Sequence, residues 1–250
     1  MILKIKNWTE KIVKAIFVLI LLTSLFSTLE YASATPTSPS IVYVSNSTFV
    51  GGVTNRSQDV KGTITTLTLS ANQQDYKWKA YVGNVSGSFT LDDANAKTIY
   101  NWNEGTATGE VYVSRASSIN WVNVSCVNQS VIDNEEAAFG TSSGQVDSIN
   151  KTFNYTIHKS FLVGTKNISN STCRSTATYI NDAAQSITES AFFQELLLKD
   201  DISSSLIYTT IIEQHHLGYD GANNFDFQLL VAENESATAP TMYYFYVELG

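Results

Sequence analysis

The sequence has few charged residues, and their balance is acidic. Only 15% of the residues are Asp, Glu, Lys or Arg, whereas a soluble globular domain usually has about a quarter. Acidic residues outnumber basic ones by 23 to 15, which gives a formal net charge of −8. An acidic surface repels phosphate backbones, so we expect no nucleic-acid partner. Ser, Thr and Asn fill the polar positions, a composition typical of secreted β proteins.

The sequence also lacks the usual catalytic signatures. It has no G-x-S-x-G, no H-E-x-x-H, no phosphate loop and no dinucleotide fingerprint. The histidines are His158, His215 and His216, and the adjacent pair would face opposite sides of a strand. Paired carboxylates for glycoside hydrolysis cannot be assigned from their positions in the sequence. We therefore predict that the chain is not an enzyme.

No apolar run reaches the 18 residues of a membrane-spanning helix. The N-terminus instead has the three parts of a secretory signal: a basic segment, an apolar run and a cleavage site, which are Lys4 to Lys14, Ala15 to Phe26 and Ala32-Ser33-Ala34. We predict a signal peptide over residues 1–34 and an extracellular or cell-surface location. The alternative is a retained anchor, but the apolar run would span only about 18 Å as a helix. Membrane contact is thus expected only through the signal, before cleavage.

Only two cysteines are present, Cys126 and Cys173. In an oxidising compartment such a pair usually forms one disulfide. Free thiols or thiolate metal ligands are the alternatives, and neither cysteine has the C-x-x-C spacing of a zinc site. We predict the disulfide, because the chain begins with an export signal.

Acceptor motifs for N-glycosylation are dense beyond the signal segment. Ten Asn-x-Ser/Thr sites occur there, at Asn46, Asn55, Asn84, Asn123, Asn128, Asn150, Asn154, Asn167, Asn170 and Asn234. Chance is the alternative explanation, because the sequence is rich in Asn, Ser and Thr. Attached glycans would cover the faces of the molecule and confine assembly to strand edges and termini.

Hydrophobic alternation and regular turn signals predict a mainly β, antiparallel, sandwich-like fold. We expect an extended N-terminal leader over residues 35–59, which contains Pro36 and Pro39, and a β domain over residues 60–250. The β domain is expected to hold at most one short helix. Two packed β subdomains, divided near residues 132–150, are an alternative to a single domain. The strands are predicted near residues 41–44, 60–70, 78–85, 89–91, 98–102, 109–115, 121–124, 151–163, 176–180, 205–213, 225–233 and 241–249.

Three segments have sequence patterns that differ from those of the strands above. Residues 132–149 are acidic and contain Gly and Ser, which predicts a long loop. Residues 183–198 are the one helix candidate, with a loop followed by a strand over residues 192–198 as the alternative. Residues 243–247 are apolar on both faces, which predicts a central or inter-subunit strand rather than a bare edge.

Four segments together resemble a class of exported archaeal proteins of unknown function. They are W-x-x-Y-x-G-N-V-S-G at residues 78–87, residues 192–200, the G-Y-D-G motif at residues 218–221 with residues 225–228, and Y-Y-F-Y-V-E-L at residues 243–249. The resemblance implies a β-rich fold and an archaeal cell-surface location. It implies no activity, cofactor or catalytic residue.

One turn carries oxygen ligands in an arrangement that could bind a hard cation. Asp220, Asn224 and Asp226 lie in a segment that contains Gly221, and such oxygens suit Ca²⁺ in an extracellular protein. The alternative is a hairpin turn in which Asp and Asn bond their own backbone. We expect the turn, and no other cofactor.

These features predict a structural cell-surface glycoprotein that assembles with itself or with other surface proteins. A head-to-tail strand addition would produce an extracellular filament or envelope layer. The alternative is a glycan- or calcium-dependent adhesion module. Six aromatic residues in the first half of the β domain would then form a sugar-stacking face: Trp78, Tyr81, Tyr100, Trp102, Tyr112 and Trp121.

Overall fold

A computed structural model describes residues 35–52, 60–103 and 107–250. The signal segment (residues 1–34), the last part of the predicted leader (residues 53–59) and the glycan acceptor Asn55 lie outside the described residues.

The described residues are mainly β, and every strand pair is antiparallel, which confirms the predicted class. The strands are β1 (Trp78–Gly83), β2 (Ser88–Asp92), β3 (Thr98–Asn103), β4 (Gly109–Ser114), β5 (Val124–Cys126), β6 (Phe161–Val163), β7 (Lys166–Ile168), β8 (Ser175–Ala177), β9 (Gln194–Asp200), β10 (Leu206–Ile211), β11 (His216–Leu217), β12 (Asn224–Phe225), β13 (Phe227–Ala232) and β14 (Tyr244–Leu249).

A central sheet organises the fold in the order β14-β4-β10-β9-β5, and β8 also pairs with β9. Because β10 occupies one edge of β9, β5 and β8 lie end to end along the other edge. The central strands β9 and β10 are almost entirely buried. Burial on both faces includes polar side chains of these strands, such as Glu195, Thr209 and Thr210, so neither strand shows a strict alternation of apolar and polar residues.

Each face of the central sheet has its own hydrophobic core. On one face, Val111, Val113 and Leu197 pack under strand β13 and under a helical segment. On the other face, Tyr112, Leu196 and Leu198 pack under the hairpin β6–β7. Adjacent residues of one strand thus enter opposite cores, as the twofold repeat of a strand requires.

Four small two-stranded sheets surround this centre. They pair β1 with β13, β2 with β3, β6 with β7, and β11 with β12. The pair β1–β13 lies against the first core through Leu229 and Val231 and forms the second layer of the sandwich. The hairpin β2–β3 contributes no residue to either core.

The predicted loop over residues 132–149 is wrong, because helix α1 (Gln129–Phe139) and a single-turn helix α2 (Ile149–Thr152) lie there. The Asn128 side chain accepts a hydrogen bond from the amide of Val131, and Gly140 ends α1 in a left-handed conformation at φ 69°. These are standard start and stop signals of a helix. The segment covers the first core, and a division into two β subdomains near residues 132–150 stays a prediction.

Five other segments need correction. Residues 183–198 form no helix, and the alternative strand is found as β9 over residues 194–200. Residues 41–44 and 60–70 form no strand, and residues 151–163 form only the short strand β6 after the end of α2. Strand β14 is an edge strand within one chain, so the central position is wrong and the inter-subunit position stays a prediction. Residues 41–44, 60–70 and 151–163 have β-like local patterns, but among the described residues a tertiary partner is missing or lies elsewhere.

Candidate functional site

The outer edge of β14 is open along most of its length in the described residues. One edge pairs with β4 over residues 244–249. On the other edge, Val247 alone exchanges two backbone hydrogen bonds with Thr37, at 2.9 and 2.8 Å. Outward-facing groups alternate along a strand, so Phe245 and Leu249 point the same way as Val247. Their amides have no partner among the described residues.

The described residues that precede β1 are mostly exposed. We call residues 35–52 and 60–76 the arm; apart from the Thr37 bridge, they form no regular secondary structure. The arm exposes more than half of each of its large apolar side chains, which are Ile41, Val42, Tyr43, Val44, Phe49, Val50, Val60, Ile64, Leu67, Leu69 and Tyr76. Contiguous apolar exposure on this scale marks an interaction surface.

The disulfide between Cys126 and Cys173 is present, as predicted. Cys126 ends β5 and Cys173 lies just before β8, so the bond joins the two short strands that share one edge of β9. Neither short strand could hold this edge alone. The disulfide therefore stabilises the far side of the sheet from β14.

A buried histidine organises the backbone around Cys173. The Nε2 atom of His158 accepts hydrogen bonds from the amides of Thr172 and Cys173, at 3.0 and 2.9 Å. Its Nδ1 atom lies 2.7 Å from the carbonyl oxygen of Lys159. Two accepted bonds at Nε2 require the neutral ring with the proton on Nδ1. Burial lowers the pKa of His158 below its ordinary value.

The nine glycan acceptors within the described residues all have solvent access. Asn150 and Asn234 are partly buried, and the other seven, Asn46, Asn84, Asn123, Asn128, Asn154, Asn167 and Asn170, are exposed. Asn128 caps α1 through its oxygen, which leaves its amide nitrogen for a glycan. By contrast, the Asn170 nitrogen donates a hydrogen bond to Glu189 at 2.6 Å. Occupancy of these sites stays a prediction.

The predicted calcium ligands are engaged with the protein itself. The Asp220 carboxylate accepts hydrogen bonds from the amides of Ala222 and Asn223, both at 3.0 Å. Asp226 accepts from the amides of Val85 and His215, both at 2.8 Å. Within residues 35–52, 60–103 and 107–250, no group of three or more His, Cys, Asp or Glu side chains is placed to hold a metal ion. Calcium binding by Asp220, Asn224 and Asp226 remains a prediction.

The proposed sugar-stacking residues do not share one surface. Tyr112 is fully buried, while Trp78, Tyr81 and Trp121 are partly buried beside the two cores. Only Tyr100 and Trp102 are exposed, and their rings lie 4.8 Å apart on strand β3. The sequence did not distinguish these two residues from the other four.

Sequence reasoning missed a pair of buried carboxyl groups beside the edge. Glu110 on β4 and Glu248 on β14 are directly opposite each other and buried. The hydroxyl of Tyr112 donates to Glu248 at 3.0 Å, and the amide of Gly164 donates to the same carboxylate at 2.8 Å. Burial and the facing Glu248 carboxylate raise the pKa of Glu110 to about 8, and burial also raises the pKa of Glu248.

A third buried carboxyl group lies on the other face of the sheet. Glu195 is fully buried on β9, and one of its oxygens accepts a hydrogen bond from the amide of Leu230 at 2.8 Å. Its second oxygen has no partner among the described residues. Burial raises the pKa of Glu195 well above its ordinary value, because the core disfavours the charged carboxylate.

No family model matches the chain, and neither a curated protein nor a solved structure matches it. In the part of the chain that the structure describes, no helix is long and apolar enough to cross a membrane. The function must therefore be argued from the residues and contacts above.

Proposed function

We propose that this chain is an exported, N-glycosylated structural protein of the cell surface whose copies join by strand addition. The arm of one copy pairs with the outer edge of β14 in the next copy. The observation that carries the proposal is the combination of an exposed apolar arm with an open strand edge in one molecule. A head-to-tail contact of this kind produces a filament when its rotation does not close a ring.

The arm needs a partner for energetic reasons. Residues 41–50 expose six large apolar side chains to water, and burial of such a side chain typically stabilises by about 1.5–3 kcal/mol. An isolated extended segment cannot obtain this burial from its own neighbours. Pairing with a sheet edge would bury one face of the segment and would satisfy its backbone groups.

Among the described residues of the same chain, Thr37 is the one residue that pairs with the outer edge of β14. In the antiparallel register of Thr37 with Val247, Pro39 would come opposite Phe245. Pro39 has no amide hydrogen to donate, so the ladder cannot extend in that direction. Residues 41–50 contain no proline and could form a full ladder. We infer that the Thr37 bridge is displaced when the arm of another copy arrives.

Two further features favour an extracellular role. The Cys126–Cys173 disulfide is typical of proteins that fold in an oxidising compartment. The glycan acceptors of the described residues are accessible, and none lies within β14. The β14 edge is therefore free of glycan acceptors, whereas the arm stretch 41–50 contains one, Asn46.

The substitution Val247→Pro tests the edge. The substitution removes the amide hydrogen that faces outward and leaves the ladder to β4 intact. Proline is tolerated at such a position, where the amide of an edge strand faces away from the sheet. We expect the full mature chain with this change to stay folded and monomeric, whereas Val247→Thr, which keeps the amide, forms the same polymers as the wild type. Electron microscopy and sedimentation measure the difference.

Deletion of residues 35–49 tests the arm. This variant keeps its β14 edge, so it should form no polymers alone but should bind as a terminal cap to wild-type chains. Polymers of unchanged length in both the deletion and Val247→Pro would overturn the proposal, as would a wild-type chain that stays monomeric at every concentration.

A further inference from the structure

The hairpin β2–β3 presents an apolar face that the described residues leave largely exposed. Phe89 is opposite Trp102, and Leu91 is opposite Tyr100, so all four side chains lie on one face. Leu91, Tyr100 and Trp102 are 54%, 58% and 51% exposed. A two-stranded hairpin alone is marginally stable in water, so this face requires a partner in the working molecule.

The arm contains more apolar sequence than the β14 edge can take. The edge is six residues long, or about 20 Å. The arm has two separate apolar stretches, residues 41–50 and residues 60–69, and each exposes its large side chains. If the first stretch pairs with β14, as proposed above, the second stretch still has to be covered.

We propose that residues 60–69 of one copy pack against the apolar face of hairpin β2–β3 in a second copy. The contact would place Leu67 and Leu69, which share one side of an extended segment, against Tyr100 and Trp102. This inference rests on the proposed function, because it adds a second contact to the same head-to-tail junction. Aromatic rings are well suited to such a contact, since they bury large areas.

The distribution of glycan acceptors favours a protein partner for this face. No acceptor lies between Asn84 and Asn123, and none lies between Asn55 and Asn84. The hairpin and the second arm stretch are therefore both free of attached sugars. The charges of the two segments are also complementary. Lys61 makes the second arm stretch positive, whereas Asp92 and Asp93 outnumber Lys97 and make the hairpin turn negative.

Two variants of the full mature chain distinguish the two sides of the proposed contact, the arm and the hairpin. The arm variant carries Ile64→Ser, Leu67→Ser and Leu69→Ser, and the hairpin variant carries Tyr100→Ser and Trp102→Ser. A matched control carries Val146→Ser and Ile202→Ser, which remove apolar side chains that are equally exposed elsewhere. Hydrogen exchange of β2–β3 as a function of protein concentration is the readout, together with sedimentation.

We expect wild type and control to protect β2–β3 increasingly as concentration rises. Each variant alone should lose this protection, with the association weakened at least about tenfold. A mixture of the two variants should restore protection only on the hairpin of the arm variant, because the other chain supplies the intact arm. That one-way complementation is specific to an arm-on-hairpin contact.

Other results would overturn the inference. Protection that survives in the arm variant would indicate that hairpins pack on each other, and protection independent of concentration would indicate that each hairpin is covered by its own arm. Absence of protection at any concentration would also contradict it. If Val247→Pro and the deletion of residues 35–49 abolish polymers while these variants do not weaken them, the proposed function stands and this inference fails. If the hairpin is protected as expected but those two changes leave polymers intact, the proposed function fails.

Discussion

Raising the pH from acidic to mildly alkaline values should destabilise this protein through Glu110. The Glu110 carboxyl is only 7% exposed and faces Glu248 across the β4–β14 pair. The charged and titratable groups that act on Glu110 are Glu248 and Tyr112, and neither is a cation. An ionised Glu110 would thus be a buried charge without a counter-charge.

The size of the effect follows from proton linkage. The pKa of Glu110 is about 8 in the folded protein against 4.5 in its ordinary state. Because the folded state holds the proton more tightly, the stabilisation is complete below pH 4.5 and is lost as the pH rises through 8. A difference of 3.5 pKa units corresponds to about 4–5 kcal/mol at 1.36 kcal/mol per unit.

The substitution Glu110→Gln removes the titration and nearly preserves the shape of the side chain. Urea unfolding, followed by tryptophan fluorescence at a series of pH values, gives the free energy of unfolding of both proteins. The variant should match the wild type in acid and exceed it by a few kcal/mol above pH 8. Glu235→Gln, which changes an exposed carboxylate, is the charge control. A difference between Glu110→Gln and wild type that does not vary with pH would refute the reasoning.

Three further predictions concern the disulfide, the buried histidine and one glycine. Replacing Cys126 and Cys173 by Ala should lower the free energy of unfolding by about 4 kcal/mol, because the 47-residue separation sets the chain entropy that the bond removes; unchanged urea unfolding would contradict this. His158 should show the neutral Nδ1–H tautomer in nitrogen NMR at about pH 6, and its contribution to stability should fall as the pH drops below its unfolded pKa of 6.5; a protonated ring at that pH would be inconsistent with its two accepted bonds. Gly109→Ala should lower the free energy of unfolding by at least about 2 kcal/mol, because φ is +115° and the new Cβ would overlap the Glu248 carbonyl oxygen. Gly144→Ala is the control and should change the stability little, because open space surrounds Gly144. Equal thermal unfolding temperatures of the two variants would disprove the comparison.

Much of the sheet could be predicted from hydrophobic pattern, and the reason is local. Strands β1, β4, β10, β13 and β14 each combine β-branched and aromatic residues between turn signals, and the structure places them within two residues of the predicted bounds at most ends. The disulfide could be predicted because only two cysteines exist. In these cases the local preference and the tertiary contacts agree.

The errors arise where tertiary contacts decide the outcome. Helix α1 was not predicted, because its acidic residues suggested an exposed loop. In the structure, Glu136 is buried and accepts a hydrogen bond from the amide of Asn150 at 2.8 Å. Its caps, Asn128 and Gly140, were the signal that could have revealed it. Residues 60–70 read as a strand, but their chain supplies no partner among the described residues. Strand propensity describes a fit to a partly buried surface and cannot say which molecule provides that surface.

Only part of the candidate site, which consists of the arm and the outer edge of β14, could be predicted from the sequence. The apolar leader and the apolar terminal strand could both be recognised, but their approach at Thr37 and Val247 depends on a register that sequence does not specify. The facing carboxyl groups of Glu110 and Glu248 were also hidden, because they are separated by more than half of the chain and meet only through the β4–β14 pairing.

High-resolution electron cryomicroscopy of the assembled native protein tests the central claim most directly. The account predicts that backbone groups from the arm of a neighbouring copy bind the outward-facing amides of Phe245, Val247 and Leu249, and that Thr37 of the same chain has left Val247. An assembled form in which β14 keeps its own Thr37 and meets no neighbouring strand would contradict the account.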